Sequence, residues 1–198
     1  MSSSRLGGEC NAPFQLSLNY EPLLFLVNLV TETPRLLLRE FEISDAEALL
    51  RLNSNEEVLR YTGDIAFETV QDARNFLENY NEYERNGFGR WAVVLKDSGS
   101  FIGWCGLKKN EEGYVDLGFR FFQEEWGKGY ATEAAEASLS FGFKKLGLKE
   151  IIGRVAPENK ASLRVLEKLG MTYWKSGNCH GIPDAMYYKI TAPSFAEK

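Results

Sequence analysis

The chain has 198 residues, 44% hydrophobic and 26% charged, a balance that fits one globular domain and excludes a collagenous, fibrous or mainly disordered protein. Lys and Arg total 23 against 28 Asp and Glu, a net charge of -5. That charge repels nucleic acid at long range, and with no basic stripe to override it no nucleic-acid partner is expected. It does not exclude an anionic ligand, because backbone amides at a helix N-terminus bind phosphate whatever the net charge.

Residues 1–32 read as an N-terminal extension, 33–192 as the domain and 193–198 as a tail. The apolar run Leu23 to Val30 is interrupted by Asn28 and is shorter than the roughly 18 to 20 apolar residues of a membrane span. A polar stretch precedes it, unlike a signal peptide, so a soluble protein with no membrane partner is expected. Cys10, Cys105 and Cys179 are far apart, without the paired spacing of a zinc or redox site, which fits a reducing cytoplasm and no metal. Cys105 lies in an apolar strand pattern and reads as a small buried thiol. His180 is the single histidine, and nothing from Ser176 to Pro183 resembles a nucleophile turn, so Ser-His-Asp and Cys-His enzymes are set aside.

Arg35 to Phe41 reads as a first strand. Ser44, with Glu47 three residues later, reads as the N-cap of a helix to about Leu52. Thr69 caps a longer predicted helix through Tyr83, with Val70, Ala73, Phe76, Leu77 and Tyr80 at helical spacing and Gly87 as its stop. Trp91 to Leu95 and Phe101 to Leu107, joined by Asp97-Ser98-Gly99-Ser100, predict an antiparallel hairpin. Tyr114 to Phe122 alternates as a further strand, and Gly118 at its middle points to a bulge.

The segment EEWGKGYATEA then leads into a predicted helix through Lys145, whose Ala131, Ala134, Ala135 and Ala137 leave room for a close neighbour. Ile151 to Ala156 is a strand, Ala161 to Leu169 a helix with Gly170 as C-cap, and strands near Thr172 to Lys175 and Ala185 to Ile190 close the chain. The strand, helix, strand passage implies two parallel strands inside an otherwise antiparallel sheet. One α+β domain is expected.

Gly127 and Gly129 stand where a strand ends and a helix begins, where unpaired N–H groups and the helix dipole together hold phosphate. Two glycines alone leave an ordinary turn equally open. A dinucleotide fingerprint fails at Thr132, where a third glycine is needed, and no Gly-Lys-Ser or Gly-Lys-Thr of a Walker loop occurs.

Three separated motifs resemble the GNAT acetyltransferases, and specifically the RimJ/RimL ribosomal-protein N-acetyltransferase branch. Glu124-Glu125-Trp126-Gly127-Lys128-Gly129, running on as WGKGYATEA, is similar to the family's cofactor loop, with Glu124 departing from its usual Gln or Arg. Asn159-Lys160-Ala161-Ser162 with Leu166 to Met171 resembles the second cofactor segment. Thr33-Pro34-Arg35-Leu36 with Ile43 to Ala46 resembles the N-terminal signature. The likeness spans about residues 33–190.

The resemblance implies a mainly antiparallel sheet with two splayed parallel strands, flanked by helices. It implies acetyl-coenzyme A as co-substrate and an amine acceptor, a protein N-terminus or a small-molecule amine, and leaves room for a homodimer. Gly127, Gly129, Tyr130 and Ala131 would hold the pyrophosphate, with Trp126 beside them and Lys128 adding charge at the rim. Phe119, Phe121 and Phe122 would pair with the pantetheine arm, which Asn159 reaches from the neighbouring strand.

The implied reaction is direct attack of a neutral amine on the thioester, with a backbone N–H near Phe121 stabilising the oxyanion. A lysine of pKa about 10.4 costs about 4 to 5 kcal/mol to be neutral at pH 7, and an α-amine only about 1 kcal/mol. Asp116 is the first candidate base, with pairing to Arg120 as its structural alternative. Glu158 and a water relay compete with it. The tyrosine acid of many relatives is replaced by Leu166, so Ser162 becomes the candidate proton donor, its alternative role being hydrogen bonding at the helix start. Glu133 reads as a first-turn carboxylate complementing the helix dipole. Tyr61, Phe67, Trp104 and Tyr187 are candidates for an acceptor cleft or for packing. A non-catalytic acyl-coenzyme A sensor and, further off, a nucleotide-dependent oxidoreductase are the competing functions.

Overall fold

The structure is a computed structural model that describes residues 28–179 and 181–197. Cys10, His180 and most of the N-terminal extension therefore lie outside the described residues. Eight strands form one sheet in the order β1-β2-β3-β4-β5-β6-β8-β7. They are β1 (Leu29–Glu32), β2 (Leu36–Arg39), β3 (Arg90–Leu95), β4 (Phe101–Lys109), β5 (Val115–Phe121), β6 (Glu150–Val155), β7 (Thr172–Cys179) and β8 (Ile182–Thr191). All neighbours run antiparallel except β5 and β6. The fold is α+β, as expected. The sheet begins at Leu29, four residues before the expected domain start, because Thr31 and Glu32 pair with Leu38 and Leu37.

The early helices are α1 (Ala46–Asn53), α2 (Glu56–Leu59), α3 (Val70–Glu78) and α4 (Glu82–Asn86). A 3-10 turn, Ile43–Asp45, precedes α1, and Glu42 with Asp45 forms its capping box in place of the expected cap at Ser44. Thr69 and Asp72 form a capping box at the start of α3. The single long helix expected from Thr69 to Tyr83 is two. Asn79 Nδ2 donates to the Asn75 carbonyl at 2.7 Å, and such side-chain competition with the helical ladder ends α3. Gly87, left-handed at φ 75°, stops α4 as predicted. The short α2 was not anticipated, although Asn55 caps it by accepting from Glu57 and Val58 N–H.

The later helices are α5 (Tyr130–Lys144), α6 (Lys160–Lys168) and α7 (Ala192–Ala196). Ala134 and Ala135 are fully buried in the main core with Leu117, Leu139 and Ile151. Their small side chains therefore let α5 sit close on the sheet, and only Ala131 of the four alanines borders the cleft described below. A second core joins α1 and α3 to Phe122. Phe195 of α7, expected to be tail, packs against Phe143.

The bulge expected at Gly118 is absent, since β4 and β5 keep register from Gly103–Phe121 to Lys109–Val115. The glycine serves packing: a Cβ there would lie 2.5 Å from an Arg90 guanidinium nitrogen. The irregularity lies on the other edge of β5, where pairing with β6 covers only Asp116–Ile152 and Leu117–Gly153. Beyond Leu117 the two strands part.

Candidate active site

Between the parted strands opens a cleft of about 540 Å³. One wall is the end of β5 with the turn into α5, another is the β6–α6 junction, and the third is α2 with the residues following it.

The turn is built on two glycines. Gly127 (φ 76°) and Gly129 (φ 86°) are left-handed, a conformation that costs an L-residue about 1 to 2 kcal/mol. A Cβ on Gly127 would touch nothing, so backbone shape, and not crowding, requires that glycine. The first hydrogen bond of α5 runs from Glu133 N–H to the Gly129 carbonyl, so the N–H groups of Tyr130, Ala131 and Thr132 precede the helical ladder. With the helix dipole they form an anion site on the cleft wall. Trp126 Nε1 donates to the Phe121 carbonyl at 3.0 Å, which fixes the turn against the end of β5.

A brace from the other end of the chain holds this turn. Arg35 donates through Nε to Glu133 Oε2 at 2.6 Å and through Nη1 to the Lys128 carbonyl at 3.1 Å. Its guanidinium lies 4.5 Å from the centre of the Tyr130 ring, within cation–π range. Thr33 Oγ1 donates to Glu133 Oε1 at 2.6 Å. Burial acts to raise the Glu133 pKa, but the Thr33 and Arg35 hydrogen bonds outweigh it and hold the carboxyl below its ordinary range. Glu133 is thus more than the dipole-complementing carboxylate expected of it.

On the opposite wall Asn159 is the N-cap of α6, its Oδ1 accepting from Ser162 N–H at 3.0 Å. Asn159, Ser162 and Glu158 all border the cleft. Leu166 is buried in the main core and supplies no polar group. Phe119, Phe121, Trp126, Gly127, Gly129, Tyr130 and Ala131 reach the cleft.

Three expected site residues do not line it. Phe122 is buried in the second core under the Arg51 guanidinium, 3.9 Å from its ring centre. Lys128 pairs with Glu125 at 3.0 Å. Asp116, the first candidate base, is buried, and its pairing with Arg120 is not formed. Instead it accepts from Arg90 Nη2 at 2.8 Å and from Arg154 at 3.2 and 3.3 Å. Of the carboxylates weighed as base, Glu158 is the one on the wall.

Among the aromatics, Tyr61 lines the cleft. Phe67 and Trp104 pack against the second core, and Tyr187 is buried with its hydroxyl on Glu112 at 3.2 Å. Cys105 is fully buried, and burial pushes its thiol pKa up to about 12. The α2 wall, with Glu57, Arg60 and Thr62, was missed, as was Arg120, which reaches the cleft from β5. Asn55, a capping residue type just ahead of Glu56 and Glu57, was the one local signal for α2.

The chain and its fold are shared with proteins of known family. The sequence model of the acetyltransferase (GNAT) domain matches residues 35–172. The chain is a member of the GNAT acetyltransferase family. It is 34% identical over 140 residues to the uncharacterized N-acetyltransferase p20 of Bacillus licheniformis, covering 69% of this chain and 79% of that one. The crystal structure of a GNAT-family acetyltransferase from Bacillus anthracis superposes with a TM-score of 0.70 at 35% identity, over 82% of this chain and 98% of that one. Spermidine N-acetyltransferase from Vibrio cholerae, in complex with CoA and spermine, shares the fold at 22% identity and a TM-score of 0.69, over 83% and 99% of the two chains. This GNAT protein is therefore an acetyltransferase. No helix among its described residues is long and apolar enough to cross a membrane.

Proposed function

We propose that the protein transfers an acetyl group from acetyl-coenzyme A to a primary amine, by direct attack within a ternary complex, as a cytoplasmic enzyme of the RimJ/RimL-like branch. The observation that carries this reading is the parting of β5 and β6 after two residue pairs beside an α5 N-terminus with free amides. A pyrophosphate fits the amides of Gly127 and Gly129 to Ala131. A pantetheine arm, an extended chain that carries two amides, fits the unpaired edge of β5. The branch assignment rests on the motifs at Thr33, Trp126 and Asn159.

In this reading a backbone N–H near Phe121 receives the oxyanion, the Ser162 hydroxyl gives its proton to the thiolate as it takes one from solvent water, and Glu158 or a water beside it takes the proton of the amine. Asp116 orders Arg90 and Arg154 and is assigned no proton transfer. An α-amine needs less help than a lysine, which suits a base as exposed as Glu158.

Thermal unfolding with acetyl-coenzyme A, coenzyme A, NAD and ATP tests the cofactor, since a ligand at 100 times its Kd adds about 2.7 kcal/mol of stability. Stabilisation by the coenzyme A forms alone is expected, and its absence overturns the reading. Thiol release with amines and N-terminally free peptides then separates an enzyme from an acyl-coenzyme A sensor.

A further inference from the structure

The face of β5 that carries Asp116, Gly118 and Arg120 holds more positive than negative charge. Arg90 and Arg154 share one buried carboxylate, Asp116. Arg120, whose side chain is 7% exposed, has no such partner within the sheet. Its guanidinium sits 5.2 Å from the Trp104 ring centre, with Arg90 5.5 Å from the same ring. Nη1 donates to Asn53 Oδ1, and Nη2 to Asp64.

Asp64 is a different kind of partner. Its side chain is 56% exposed, and it sits between α2 and α3 on a stretch with no regular structure, next to the left-handed Gly63 and to Ile65, which is 91% exposed. If Asp64 swings away, a desolvated guanidinium is left without a counter-charge, which is costly. Arg120, Tyr61 and Thr62 all border the cleft. A buried guanidinium on a residue that borders the cleft, neutralised by the carboxylate of an exposed loop residue, has the chemistry to take another carboxylate in its place.

We propose that the amine acceptor carries a carboxylate, and that Arg120 receives it in the place Asp64 holds in this structure. Asp64 then acts as an internal stand-in that keeps Arg120 neutralised until the acceptor arrives. The proposal rests on the acetyltransferase reading of the cleft and narrows it. A polycation such as spermidine offers nothing to Arg120.

Coenzyme A binding is measured first by calorimetry, and its failure counts against the cofactor reading itself. With coenzyme A saturating, acceptor binding is compared in two series, free amino acids against their amides and amidated peptides with aspartate or asparagine at the second position. The first detects an α-carboxylate, the second a side-chain one. A carboxylate preference of roughly tenfold to a hundredfold is expected in one series, the span of a charge-assisted bond to arginine. Arg120→Gln should erase the preference while coenzyme A still binds, and Asp64→Asn should tighten carboxylate binding. Equal binding in both series, tighter binding of spermidine, or a preference that survives Arg120→Gln overturns the proposal. Should Arg120→Gln fail to fold, the exposed Asp64→Asn decides: unchanged or weaker carboxylate binding overturns it.

Discussion

Arg35 and Glu133 lie 98 residues apart in sequence and are joined by a 2.6 Å hydrogen bond from which the same guanidinium reaches the Lys128 carbonyl. The turn between β1 and β2 thereby holds the glycine turn in shape. Arg35→Ala should weaken coenzyme A binding by roughly fivefold to tenfold. Bonds to charged groups contribute about 1.5 to 3 kcal/mol, reduced here because Arg35 is about half exposed. Calorimetry checks this, and an unaltered Kd would show that the turn holds its own shape.

Glu133 makes the same brace sensitive to acid. Its pKa is depressed in the folded state, so the stabilisation is present above the unfolded glutamate value of about 4.3 and is lost as pH falls through the folded value. Glu133→Gln should lower the urea midpoint at pH 7, and the gap from the parent should close below pH 4. A gap independent of pH would contradict the sign of the shift.

Gly129→Val places a β-branched residue at φ 86° and a Cβ 3.4 Å from Arg35. The variant should lose coenzyme A binding, because the turn must change shape and the amides ahead of α5 move with it. Calorimetry with circular dichroism separates loss of the site from loss of the fold, and a folded variant with parental affinity would remove the turn from the site.

Gly118→Ala should destabilise the protein by about 3 kcal/mol. Its Cβ falls on the Arg90 guanidinium, which is pinned by Asp116 and by the Gly106 carbonyl, and breaking a buried ion pair costs on that order. Gly118 is not among the left-handed glycines, so backbone strain does not enter. A urea midpoint equal to the parent's would show that Arg90 finds another place.

Ser162→Ala keeps the backbone N–H that Asn159 caps and removes only the hydroxyl. Turnover should fall by about a hundredfold or more, in the range of a lost acid–base group, with the coenzyme A Kd unchanged. An unaltered kcat would take Ser162 out of the mechanism.

The parts of the molecule that local sequence specifies were legible. Gly87 and Gly170 end helices as predicted, both in left-handed conformations, Thr69 caps α3, and the hairpin around Ser98 is antiparallel as expected. Asn79 ended a helix that apolar spacing alone carries on to Tyr83, because its side chain bonds its own helix. The ion pairs were not legible. Asp116 meets Arg90 and Arg154 instead of Arg120, and Arg120 meets Asp64, 56 residues away. Strand order decides such partners, and no periodicity encodes it. Gly118 was read as a bulge for the same reason: the arginine that needs its space lies two strands away, on β3.

The gap between β5 and β6 has one more consequence. Past Leu117 the strand offers solvent an unpaired ladder in the middle of a sheet, the kind of edge along which foreign chains add and aggregates grow. Whatever fills the gap also serves as its chaperone. If coenzyme A fills the gap as proposed, protein purified without it should be more prone to self-association than protein loaded with it, and the Trp126 indole, already seated on the Phe121 carbonyl, guards only the last rung.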